Sequence, residues 1–226
     1  SVGPPPKERN EASRRLSADG AAPPTYVEAR KAAARSGRRL SGATEALKNL
    51  LIPIRFSDHA DRVLPTREEL DDIMNCDCVG GSNPLAPTGS VRDVFLASSH
   101  GQLSVETTTV DWVTLPNTEA YYANGDSGDT WDYMNEMITD GLDAAQAAGA
   151  DFSDFDVDGD GYIDGIAFLH SGYGAEWGGT DAYGQLQGNR IWSQKWGIDP
   201  WTSNDGVTVY MYHISPALWA TEGSAP

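Results

Sequence analysis

The sequence predicts an α+β domain, a twisted mixed β-sheet with helices packed on it. Three observations carry this. Short apolar runs at residues 50–56, 165–170 and 206–215 are bounded by turn signals and have the length of strands, not helices. Helices that announce their own starts lie between them, among them one long amphipathic segment at 130–148. The 226 residues suit one domain with an extension, and no internal repeat runs through them.

Residues 1–46 read as a disordered basic leader or the remnant of a propeptide. Gly3-Pro4-Pro5-Pro6 and Ala21-Ala22-Pro23-Pro24 interrupt regular structure, and large apolar residues are scarce. A short helix over 26–39 fits the Arg/Ala composition. The pairs Arg14-Arg15 and Arg38-Arg39 suit either processing sites or solvated tail charge. The domain is expected over 47–226. Its first strand, 50–56, contains Pro53, which argues for an edge or a bulge. Thr66 and Glu69 form a capping box for a helix ending near Asn75. Ser90 caps a second helix, with Val91, Val94, Phe95 and Ser98 expected inward and Gly101 as its stop.

Residues 102–115 suit one strand or two, and 117–128 read as a polar loop carrying Tyr121 and Tyr122. The helix at 130–148 puts Trp131, Met134, Ile138, Leu142 and Ala145 on one face, a core stripe. Residues 171–189 are glycine-rich and read as a surface loop. Trp192 and Trp196, in a short extended element, read as packing residues. The last clear strand is 206–215.

Charge is unevenly spread. Residues 1–50 hold ten Lys+Arg against five Asp+Glu, whereas 51–226 hold six against 28, within a formal net charge of −17. So acidic a body repels nucleic-acid phosphates and anionic membrane surfaces. No stretch approaches the ~20 apolar residues of a membrane span. The chain begins at Ser1 and shows no apolar signal-peptide core. Cys76 and Cys78 are the two cysteines; a bridge between them closes a very small ring, so free thiols or other pairing are expected. A metal site there has no local histidine to complete it.

The most specific chemistry lies in Asp156-Val157-Asp158-Gly159-Asp160-Gly161-Tyr162-Ile163-Asp164. Carboxylates at loop positions one, three, five and nine, with glycine at six, are the spacing of a calcium loop, in which Tyr162 lends its backbone carbonyl. Asp156, Asp158, Asp160, Tyr162 and Asp164 are therefore the expected ligands. An acidic turn whose side chains bond their own backbone is the alternative. Position twelve is Ala167 and not the usual bidentate Glu, and the loop runs into a strand where a sensor has a second helix. The expected calcium is structural.

Several segments, in order, resemble the peptidase domain of the immune-inhibitor-A-like zinc metallopeptidases. They are 51–58, 88–93, 99–103, 112–116, the Asp-rich stretch 154–164, His170-Ser171-Gly172-Tyr173-Gly174-Ala175-Glu176, and Ile191-Trp192-Ser193. The resemblance spans about 47–215. It implies a zincin-like fold and a secreted, extracellular, zinc-dependent endopeptidase acting on protein or peptide substrates. That family places an H-E-x-x-H helix next, whose histidines bind zinc and whose glutamate activates water. His59, His100, His170 and His213 are isolated and form no such motif. By the family's layout the chain stops before the zinc-binding helix, so no catalytic residue is expected in it and the chain alone should be inactive. The alternative is a non-catalytic calcium-binding extracellular interaction module. His170 is expected as a histidine of the core rim, and Glu176 as either an exposed loop residue or a further calcium ligand.

Overall fold

The computed structural model describes residues 45–79, 81 and 83–219. Residues 1–44 of the expected leader, with its helix at 26–39, lie outside these residues, and its last two, Glu45 and Ala46, belong to the first strand. Strands β1 (Glu45–Arg55), β2 (Leu103–Thr109), β3 (Val113–Thr114), β4 (Ile166–Tyr173), β5 (Gln194–Thr202) and β6 (Thr208–Leu218) form one sheet. Its order is β2-β1-β4-β6-β5, with β3 also on β1. All pairings are parallel except the β5–β6 hairpin. This is the expected mixed sheet with helices packed on it.

Pro53 corrects its expectation, because β1 is central and Pro53 pairs with Leu169 of β4. The Leu50 N–H donates to Gly165 O on the β4 side. Alternation along the strand therefore turns the nitrogen of Pro53 to the other side. There β2 ends opposite Leu51 and β3 begins opposite Ile54, so the proline faces a break in the ladder where no donor is needed.

Both faces of the sheet are covered, which is why β1 and β4 read as near-continuous apolar runs. On one face, helix α4 (Trp131–Ala147) packs Met134, Met137, Ile138, Leu142 and Ala145 against Leu50, Ile52, Ile54 and Phe168. Each such large side chain, fully buried, contributes about 1.5–3 kcal/mol. Gly141 sits at the closest approach, where an added Cβ would lie 3.2 Å from both Ile54 and Phe168. On the other face, Leu70 and Met74 of helix α1 (Arg67–Asn75) pack on Leu51 and Ala167.

The expected capping box of Thr66 with Glu69 forms on α1, and Ser90, the expected cap of helix α2 (Val91–Ser98), makes a further box with Asp93. The inward face of α2 differs from expectation. Val94 and Phe95 are exposed, and Asp93 is the buried residue, because its carboxylate closes the cap. Cys76 and Cys78 are bonded to each other, against expectation; their Cα atoms, 5.3 Å apart, lie within ordinary bridging range.

Two segments taken as loops are more structured. Residues 117–128 contain helix α3 (Glu119–Ala123), in which Glu119 and Tyr122 are fully buried. Within 171–189, β4 continues to Tyr173, and Ser171 and Asp181 are buried. At the outer edge of β2, the Asn75 carboxamide donates to Thr107 O (2.8 Å) and accepts from Thr107 N–H (2.9 Å).

Candidate functional site

The Asp-rich segment links α4 to β4 through a short 3-10 turn, Ser153–Phe155. Backbone bonds pin it on two sides: Asp164 N–H to Phe155 O, and Ile163 N–H to Thr208 O with Thr208 N–H to Gly161 O. The loop thus ties the entry of β4 to the start of β6, a link the sequence did not reveal. Gly159 and Gly161 take positive φ of 71° and 84°, the left-handed turn expected at position six.

Oxygens of Asp156, Asp158 and Asp160 lie within 4.8 Å of one another. Asp156 accepts from the N–H of Asp160 and Gly161, Asp158 from Asp160, and Asp160 from Tyr162. These bonds orient the carboxylates and are compatible with both the cation loop and the self-bonded acidic turn. Asp164 lies outside the cluster and accepts from Val157 N–H at 2.9 Å. Tyr162 bridges to Thr208. Three of the five expected ligands therefore converge through their side chains.

A second polar site, buried, lies at the C-terminal halves of β1 and β4. His59, Glu119 and His170 come from the loop after β1, from α3 and from β4, and each is at most 1% exposed. His59 Nε2 is 3.4 Å from Glu119 Oε2, and His170 Nδ1 is 3.8 Å from Glu119 Oε1. Gly172 makes the slot for this carboxyl: a Cβ there would fall 1.9 Å from Glu119 Oε1. Burial pushes Glu119 up to about 8, with Arg62 opposing. Burial also takes His59 down to about 4 and His170 to about 3. The site holds neutral imidazoles around a protonated acid.

Ser171 completes the cluster. Its Oγ accepts from Phe56 N–H at 3.1 Å and lies 2.9 Å from His59 Nδ1, and its carbonyl accepts from Arg62. Ser171, His59 and Glu119 thus stand in the order of a hydrolase triad, yet all are sealed from solvent and the hydroxyl already serves the Phe56 amide. Their work is to join β1, α3 and β4. Glu119 was hidden because its segment reads as polar; Thr118, which caps α3, was the available signal.

His170 is fully buried, as a core-rim histidine would be. Glu176 lies beyond the far end of β4 from the Asp-rich loop and accepts from Ser193 Oγ, so it does not complete that loop. An apolar hollow of about 420 Å³ lined by Leu70, Met74, Leu169, Trp177 and Trp219 has Glu176 as its one titratable group among the described residues.

Residues 86–220 match the family model described as immune inhibitor A peptidase M6, catalytic domain. Over 126 residues the chain is 33% identical to immune inhibitor A of Bacillus thuringiensis subsp. alesti; this covers 48% of the chain and 18% of that protein. The chain therefore spans less than a fifth of that relative's length.

Proposed function

The chain belongs to the immune inhibitor A peptidase M6 family, and from that premise we propose that it is part of a secreted zinc-dependent metalloendopeptidase hydrolysing protein substrates outside the cell. The match to the catalytic-domain family is the observation that carries this reading. The mixed sheet, covered on both faces, supports the zincin-like frame that the reading requires.

The described residues do not fit a catalytic zinc site. His59 and His170 approach opposite oxygens of Glu119, His170 Nδ1 already accepts from Gly172 N–H, and the cluster has no face open to a substrate. His213 is exposed on β6, and His100 follows α2 with φ 55°. In this reading the zinc ligands belong to other parts of the protein, and these residues supply the sheet that carries them. Among the described residues no helix is long and apolar enough to cross a membrane.

The test is chelator-sensitive hydrolysis of an unfolded protein substrate. The full-length protein from the gene should cleave it and lose activity with a zinc chelator, and the 226-residue chain should not cleave it. A full-length protein without activity or bound zinc favours the non-catalytic calcium-binding module instead.

Calcium at Asp156, Asp158 and Asp160, completed by the Tyr162 carbonyl and by Asp164 directly or through water, is the second part of the proposal. Mutual approach of three carboxylates within 4.8 Å supports it, since their repulsion is relieved by a cation. Its role is structural, fastening α4, β4 and β6 at one corner of the sheet.

A further inference from the structure

Cys76 and Cys78 follow the end of α1, and the first turn of α2 brings Asp93 onto them. Cys78 N–H donates to Asp93 Oδ2 at 3.2 Å, and Cys78 Sγ lies 3.8 Å from the same oxygen. Ser90 Oγ donates to Cys76 O at 2.7 Å, which fixes the other cysteine to the same cap. The two sulfurs and a carboxylate oxygen of Asp93 all lie within 4.8 Å of one another. Beside Asp93 opens a hollow of about 350 Å³, lined by Asp77, Arg92, Asp93 and Glu106 among others.

We propose that Cys76 Sγ, Cys78 Sγ and Asp93 form, once the disulfide is reduced, a binding site for one thiophilic divalent cation such as zinc or cadmium. The disulfide and the metal are alternative occupants of one place. Reduction by a dithiol breaks the S–S bond. Two electrons and two protons pass to the cysteines, and the reductant leaves as its own disulfide. Cation binding then displaces the two thiol protons to solvent and forms two metal–sulfur bonds.

The chemistry of the donor set favours this. Ser90 N–H and Cys78 N–H both donate to Asp93 Oδ2, which fixes the carboxylate beside the sulfurs. Two thiolates added to it would repel at this separation, and a soft cation removes that repulsion. Two sulfurs and one oxygen leave a fourth tetrahedral position for water. Histidine is not required, and Asp93, fifteen residues along from Cys78, takes the place that local sequence leaves empty.

The test is a cadmium titration of the folded full-length protein, followed by the ultraviolet sulfur-to-cadmium charge-transfer band. This band ignores any cadmium held by the oxygen-only Asp156–Asp164 loop. Reduced protein should take up one equivalent with the band, and disulfide-bonded protein should show none. Cys76→Ser and Cys78→Ser should each abolish it. Asp93→Asn should weaken binding by at least about tenfold, the range in which metal sites respond even to lost outer partners. Asp77→Asn should leave it unchanged. Because Asp93 also caps α2, X-ray absorption of the reduced wild type provides a second measure and should report two sulfurs plus lighter ligands. The proposal is overturned by a reduced, folded wild type without the band, by a folded Asp93→Asn protein that binds as tightly, or by sulfur-only coordination.

Discussion

Strand β4 has carboxylates at both ends, three of them clustered near the surface ahead of Ile166 and one, Glu119, sealed beside His170 at the other. The same functional group meets opposite environments. In the Asp-rich loop, backbone N–H groups meet three carboxylates near the surface, whose crowding the proposed cation would relieve. Around Glu119, burial disfavours the charge and pushes the group toward its protonated form. A carboxyl's partner is thus set by access to solvent before any specific contact is made.

Four experiments would break or sharpen this contrast. The largest effect is expected from Gly172→Ala, whose methyl would collide with the enclosed Glu119 carboxyl. A loss of about 3 kcal/mol or more should appear in denaturant melts. Combining it with Glu119→Ala should recover part of that loss; no recovery would refute the slot. Next comes calcium. At a hundredfold excess over its dissociation constant, calcium should add about 2.7 kcal/mol, visible as a raised thermal midpoint. Asp158→Ala/Asp160→Ala should abolish the rise, and an unchanged midpoint with chelator would remove the cation from the account.

The third effect is a pH dependence. Between 4.5 and 8 the unfolded chain has released the Glu119 proton while the folded chain keeps it, so this contribution falls as pH rises. His59 and His170 act in the other direction. They stay neutral when folded but gain protons when unfolded below 6.5, so their contribution is complete above 6.5 and is lost as pH falls toward 4 and 3. Together they place the cluster's best pH near 6.5, with a net loss of about 1 kcal/mol by pH 8, where the Glu119 loss is partly offset by the histidines. Glu119→Gln should flatten that decline; a wild type already flat there would show the acid to be ionised. The smallest effect is Ser171→Ala, about 1 kcal/mol from the Phe56 amide left without its acceptor.

The Asp-rich loop, the Thr66–Glu69 capping box, the Ser90 cap, the stripe on α4 and the buried character of β4 were legible in the sequence, because each is written in consecutive or regularly spaced residues. What was not legible depends on distant segments meeting. Glu119, His59 and His170 come from three separate elements, and nothing local marks Glu119 as the acid that loses its water. Asp93 likewise carries no local sign of the contact with Cys78 that the fold gives it. On α2, two turns are too few for apolar periodicity to define a face, and the capping carboxylate is the buried group.

Asn75 has a consequence for how copies of this molecule can meet. By offering Thr107 one donor and one acceptor at strand spacing, its side chain acts as a counterfeit neighbour for β2. Another chain arriving at that position finds the hydrogen bonds already taken. Edge pairing through β2 is thus obstructed at Thr107. One carboxamide stands there where the backbone of a neighbouring strand would otherwise lie.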